Sequence, residues 1–198
     1  IAEAKPVKGE ADLTDNLLAD GTVEIMSTHD VAVTKLETSR TWVYQTHPLA
    51  FNVTIENRGD SIENITLTLY YNITSGEIIS QETITNLNPG ENISITIIWD
   101  TTEIPACHNY TIVATATIEA PDKNPADNTL INGTVKVRIL GDINGDDIVT
   151  MKDLFEVAIA FATHPEAPGW NSYADMNLDG LIDLRDLYIV ACNFGRCN

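Results

Sequence analysis

Two twelve-residue stretches near the C-terminus carry oxygen-bearing side chains at the spacing a hard cation requires. In the first, Asp142, Asn144, Asp146 and Asp153 stand at loop positions 1, 3, 5 and 12, with the backbone carbonyl of Ile148 at position 7. Thirty-three residues later Asp175, Asn177, Asp179 and Asp186 repeat the pattern, with the Leu181 carbonyl at position 7 and Asp183 at position 9, placed to hold a ligand water. Calcium takes roughly six to eight oxygen ligands from loops of this length, so the spacing predicts two Ca²⁺ sites. Position 6, where a sharp turn favours positive φ, is Asp147 in the first loop and Gly180 in the second. An aspartate there costs on the order of 1 kcal/mol relative to glycine, so the first site is expected to be the weaker.

The loops need elements to hold them. After the first, Asp153-Leu154-Phe155, Val157-Ala158 and Phe161 follow at helical spacing; after the second they recur as Asp186-Leu187-Tyr188, Val190-Ala191 and Phe194. The unit is a duplicated loop-helix. An EF-hand would close its loop with Glu and open with an entering helix. Here both loops close with Asp, and the alternating residues Val135 to Ile139 precede the first. On these residues the last 55 or so positions resemble the type I dockerin family. The resemblance implies two bound Ca²⁺ and a helix face that docks into a cohesin. It also implies that loop positions 10 and 11, here Met151, Lys152, Leu184 and Arg185, help choose the partner. These hydrophobic-basic pairs depart from the small hydroxyl pair common in cellulosomes. The same residues could instead pack against a neighbouring subunit or the preceding domain.

Residues 141–198 hold ten acidic and three basic residues, a net charge of −7, in a module too small for a generous core. Two Ca²⁺ would return four of those charges. With micromolar affinity and millimolar calcium, mass action stabilises such a fold by about 4 kcal/mol per site.

Between residues 29 and 140 the chain alternates apolar and polar residues in seven short runs, near 31–37, 48–57, 64–71, 77–85, 91–99, 109–119 and 129–140, broken at Arg58-Gly59-Asp60, Ser75-Gly76 and Asn88-Pro89-Gly90. That predicts a seven-stranded antiparallel immunoglobulin-like β-sandwich. Phe51, Val53 and Ile55 share one face, as do Ile65, Leu67 and Leu69, then Ile93, Ile95 and Ile97, then Tyr110, Ile112, Ala114 and Ala116, then Val135, Val137 and Ile139. Six N-x-S/T sequons occur, at Asn52, Asn64, Asn72, Asn92, Asn109 and Asn132. Asn52, Asn64, Asn92 and Asn109 fall on the polar parity, so N-linked glycans there would stand in solvent. The segments FNVTIENRGD, ITLTLYYN, ITNLNPGENISITIIWDTT and NPADNTLINGTVKV resemble the CARDB group of immunoglobulin-like domains. This resemblance speaks for fold and says little about function.

The N-terminus is anomalous. Residues 15–23 match residues 127–135 at six of nine positions, so residues 1–27 look like the last strand of another sandwich. Such a strand, with Val23 and Ile25, has three physical outcomes: it belongs to a longer trimmed chain, lies disordered, or completes a sheet edge in a second copy by strand donation. Repeated head to tail, the last contact would build a fibre. Three cysteines leave at least one odd thiol; Cys192 with Cys197 closes a short loop, a bridge from Cys107 to the tail is the rival, and three free thiols are the third possibility.

A net charge of −18 excludes nucleic-acid binding and polybasic membrane docking. No apolar run approaches the roughly 20 residues of a spanning helix, and the first residues lack a basic region followed by an apolar stretch. The four histidines are isolated, outside any catalytic motif, and Trp42, Trp99 and Trp170 suit core or junction packing better than sugar stacking. With no linker at Ile139-Leu140-Gly141-Asp142, the two domains are expected to form a semi-rigid rod. The whole predicts a strand segment at 1–27, a sandwich at 28–140 and a calcium module at 141–198. The expected function is a non-enzymatic, extracellular structural subunit polymerising with copies of itself. The alternative is a dockerin-bearing spacer that docks to a cohesin.

Overall fold

The computed structural model describes residues 2–12, 14, 16–18, 27–72 and 76–196. In chain order the strands are β1 (Ala2–Glu3), β2 (Leu17–Leu18), β3 (Val31–Thr38), β4 (Trp42–Tyr44), β5 (Leu49–Asn57), β6 (Glu63–Tyr71), β7 (Glu77–Leu87), β8 (Asn92–Trp99), β9 (His108–Thr117) and β10 (Thr129–Arg138). Two helices follow, α1 (Met151–Ile159) and α2 (Leu184–Cys192).

The seven predicted runs become β3 and β5 to β10. They form a five-stranded sheet, β4-β10-β9-β6-β7, facing a three-stranded sheet, β3-β5-β8. The strand count and the all-antiparallel expectation are corrected by β4, an eighth strand that pairs in parallel with β10, Val137 opposite Val43. Three residues are too few to show a period of two, so alternation does not reveal it. Among the described residues no helix is long and apolar enough to cross a membrane.

The inward parity holds for most strands. Phe51, Val53 and Ile55 lie against Ile65, Leu67, Leu69, Ile112, Ala114 and Ala116, all without solvent exposure. At one pole Trp99 stacks near Tyr71 (5.4 Å) and Tyr110 (5.7 Å), closing the sandwich with aromatic edges. Ile93 departs from expectation at 37% exposed. It sits on β8, the open edge of the smaller sheet, where one side lacks a covering strand. Asn52, Asn64, Asn92 and Asn109 are exposed, while Asn72 and Asn132 are half-buried. Asn132 lies on the bulge that shifts the β9–β10 register between Ile131 and Thr134, where Gly133 takes φ +82.

At the N-terminus β1 and β2 pair with each other, Ala2 opposite Leu18 and Glu3 opposite Leu17. These four residues find partners within the chain. Val23 and Ile25 lie outside the described residues, as does Cys197. Cys107 and Cys192 are not bridged to each other.

The sandwich and the helical module share a junction. Tyr44 and half-buried Trp42 pack with Ile139, Ile143, Ala174 and Met176. Tyr44 Oη donates to the Tyr173 carbonyl (3.1 Å), and His47 Nε2 donates to the Met176 carbonyl (2.9 Å). The Arg138 guanidinium lies over the Trp42 ring at 3.9 Å. Trp99 is therefore core and Trp42 is junction.

At the other pole the β5–β6 turn presses on the chain entering β3. A Cβ on Gly59 would stand 2.4 Å from the Thr28 carbonyl oxygen and 3.0 Å from the Asp30 nitrogen, both backbone atoms that cannot swing aside. Gly59→Ala is expected to lower sandwich stability by about 1–3 kcal/mol, measured by urea unfolding in saturating calcium; an unchanged midpoint would contradict this packing.

Candidate metal centre

Each loop is wound around two aspartates. In the first, Asp142 Oδ1 accepts from the backbone N–H groups of Gly145 (2.8 Å) and Asp146 (3.1 Å), and its Oδ2 from Asp147 (3.2 Å). Asp153 Oδ1 accepts from Ile143 (2.9 Å) and Asn144 (3.2 Å), and its Oδ2 from Thr150 (2.8 Å). The second loop repeats the arrangement 33 residues on: Asp175 receives Asp179 and Gly180, and Asp186 receives Met176, Asn177 and Asp183. Asn144 and Asn177 each accept from the N–H two residues ahead, both at 2.9 Å.

The aspartate at position 12 also starts its helix. Thr150 caps α1 and accepts from Lys152 N, while Asp153 reaches back to the cap's own N–H, a capping box. Asp183 caps α2 in the same way with Asp186. The predicted position-9 residue thus has a structural task of its own, with Oδ1 accepting from Arg185 N at 2.7 Å.

The two halves hold each other. Val149 exchanges backbone hydrogen bonds with Gly195 and Arg196, and Ile182 with Ala162 and Thr163, the same exchange displaced by 33 residues. Each loop is thereby tied to the tail of the other half's helix. Val149, Val157, Ile182 and Val190 fill the space between, all fully buried.

Buried carboxylate charge makes this a candidate cation site. Asp142, Asp153 and Asp186 have no solvent exposure and Asp175 has little. Burial, with repulsion from Asp153, holds the Asp142 carboxyl above its ordinary range. Burial, with repulsion from Asp186 and Asp179, does the same for Asp175. Backbone dipoles stabilise these carboxylates but supply no counter-charge. A carboxylate oxygen that accepts one N–H keeps a lone pair for a ligand, so an all-oxygen donor set for a hard divalent ion is present. Asp142, Asn144, Asp146, the Ile148 carbonyl and Asp153 would hold one ion. Asp175, Asn177, Asp179, the Leu181 carbonyl and Asp186 would hold the other, with Asp183 contributing through water. The ion's chemistry here is structural charge neutralisation.

Position 6 takes positive φ in both loops, +66 at Asp147 and +82 at Gly180. Position 4 also does, and there the residues are exchanged: Gly145 at +77 and Leu178 at +61. Each loop therefore carries one residue with a Cβ in the left-handed region, so position 6 alone does not rank the sites. Alternation of carboxylates cannot show this, because position 4 supplies no side-chain ligand.

For a carboxyl whose folded pKa is raised, stability is fully present below the unfolded value near 3.8 and is lost as pH rises through the folded value. Calcium-free protein should therefore gain stability in the helical module on acidification from about pH 7 toward pH 4.5. In millimolar calcium the same acidification should lower it, because protons compete with the metal. Far-UV circular dichroism melts with and without calcium test the pair of signs, and chelation at pH 7 should itself melt the helices. Melts indifferent to calcium would contradict the reading.

The chain matches the CARDB family over residues 14–132 and the Dockerin type I domain over residues 140–194. No curated protein matches it. Among solved structures, the CARDB domain of a Pyrococcus furiosus protein, determined in complex with di-metal ions, is 21% identical; the likeness covers 59% of this chain and 99% of that one at a TM-score of 0.47. A domain of a Methanosarcina acetivorans protein described as a cell surface protein is 19% identical, covering 56% of this chain and 92% of that one at 0.43. An Erythrobacter marinus β-glucosidase is 15% identical, covering 55% of this chain and 15% of that one at 0.42. The chain belongs to the CARDB family and carries a type I dockerin domain C-terminal to its sandwich.

Proposed function

We propose that this chain is a non-catalytic module of a cell surface, whose calcium-loaded dockerin domain plugs into a cohesin partner while the CARDB sandwich acts as a spacer. One observation supports this reading above the others: an apolar strip left open on both helices. Met151, Phe155 and Ile159 on α1 are 62–64% exposed, and Leu184 and Tyr188 on α2, at the equivalent positions, are 71% and 69% exposed. Phe161 and Phe194 extend the strip past each helix end. Isolated exposed apolar residues are ordinary, but a contiguous set repeated on two helices marks a protein-binding surface. Lys152 and Arg185 border it with side chains 78% and 74% exposed, a basic rim on an acidic domain.

Packing of Met151 and Leu184 against the sandwich, the other sequence-based alternative, finds no support in this exposure. The sandwich meets the loops through Tyr44, His47, Lys136 and Arg138 instead. An extracellular address fits the calcium requirement and the solvent-facing sequons, and N-glycans on Asn52, Asn64, Asn92 and Asn109 belong to the same proposal. The homopolymer reading has no comparable observation in its favour.

Surface plasmon resonance of the full chain against cohesin domains from the same organism tests the docking. Binding should require calcium, and Met151→Asp with Leu184→Asp should weaken it at least tenfold while leaving the calcium-saturated melt unchanged. Calcium-independent binding, or binding indifferent to the double substitution, would overturn the reading.

A further inference from the structure

The pole of the sandwich remote from the dockerin domain brings together three carboxylates that the sequence keeps far apart. Asp30 directly precedes β3, and Asp122 and Asp127 stand in the loop between β9 and β10. One oxygen from each lies within 4.8 Å of the others. Three oxygens no more than 4.8 Å apart have a common point within about 2.8 Å of each, so shifts of a few tenths of an ångström bring all three to the roughly 2.3–2.6 Å of calcium–oxygen bonds.

Partner accounting separates this group from an ordinary acidic surface. Asp122 is satisfied: its Oδ2 accepts from Val31 N at 3.0 Å and its Oδ1 from Asn124 N at 2.8 Å. Asp127 Oδ2 accepts from Arg58 Nη1 at 2.7 Å. Asp127 Oδ1 and Asp30 Oδ1, by contrast, are buried with no donor, and Asp30 as a whole retains only 8% of its surface. Buried acceptors without partners are rare in folded proteins because their desolvation goes uncompensated. The Arg58 guanidinium is already divided between Glu56 and Asp127. Burial, with repulsion from Asp122 and Asp127, pushes the Asp30 carboxyl upward against the opposing pull of Lys123 and Arg58.

The frame around the group is fixed by backbone bonds that owe nothing to the carboxylates. The Asp30 carbonyl accepts from Arg58 N (2.7 Å) and Gly59 N (3.1 Å). Lys123 N donates to the His29 carbonyl (2.8 Å) and Val33 N to the Asp127 carbonyl (2.9 Å). The backbone that carries the three side chains is therefore held in place ahead of any ligand.

We propose that Asp30, Asp122 and Asp127 form a divalent-cation site in the CARDB sandwich, separate from the two dockerin loops and of the hard, oxygen-ligated class that takes calcium. Its ion joins the chain entering β3 to the β9–β10 loop and adds positive charge to that of Arg58 and Lys123.

The test is a calcium count on the full chain by equilibrium dialysis at pH 7. Wild type should bind one more ion per chain than Asp30→Asn or Asp122→Asn, each checked for folding by circular dichroism. The difference of one ion is the readout, so empty dockerin loops would lower every total without altering it, and Asp175→Asn serves as the control for loss of a loop ion. Equal counts in wild type and a folded variant overturn the site. If both variants fail to fold, Asp127→Asn, which leaves Asp30 and Asp122 intact, gives the same comparison.

Discussion

Buried carboxylate charge without a matching cation governs the C-terminal half of this molecule. Asp142, Asp153, Asp175 and Asp186 draw the backbone amides of their loops inward, and every turn of those loops exists to point an N–H at one of them. Those hydrogen bonds shape the loops but leave like charges facing one another in a poorly solvated space. A hard divalent ion resolves the conflict at a stroke, because it prefers the same oxygens that the amides have oriented. The helices depend on the same residues, since Asp153 and Asp186 complete the capping boxes that start α1 and α2. Metal, loop and helix onset are one cooperative unit, and the apolar strip on the helices is presented only while that unit stands.

The junction extends this dependence into the sandwich. Met176 donates its N–H to Asp186 and accepts at its carbonyl from His47, so the second loop and the β4–β5 turn share a residue. Arg138, at the end of β10, lies over Trp42 and reaches the Ile143 carbonyl at 3.3 Å in the first loop. A Cβ on Gly145 would fall 2.6 Å from that guanidinium. Burial lowers the pKa of His47, which favours the neutral imidazole that donates to Met176. With both loops anchored to β4, β10 and the turn after β4, the apolar strip on the helices has a defined direction relative to the sandwich.

Much of this was legible in the chain. Carboxylates at fixed spacing marked both loops because the ligands of a hard cation come from one short local segment, and alternation marked seven strands because each runs for at least eight residues. What escaped notice was what tertiary structure alone assembles. The parallel strand Trp42–Tyr44 is too short for periodicity and owes its pairing to β10. Asp30 and Asp122 are 92 positions apart and carry no spacing signal, yet the fold sets their oxygens within reach of one ion. Within the repeat at residues 15–23, Leu17 and Leu18 pair with Glu3 and Ala2, a local pairing that the repeat itself does not reveal.

The exchange of glycine between loop positions 4 and 6 has a physical reason once the junction is considered. In each loop the residue with a Cβ and positive φ touches the sandwich. Asp147, at position 6 of the first loop, receives Lys136 Nζ from β10 at 2.7 Å. Leu178, at position 4 of the second, lines a shallow depression with Arg40, His47, Pro48 and Leu49. Glycine at either place would relieve strain on the order of 1 kcal/mol and would leave nothing to touch the neighbouring domain. The duplicated loops are therefore not interchangeable: Asp147 and Leu178 each place a side chain against the sandwich, while Gly145 makes room for the Arg138 guanidinium.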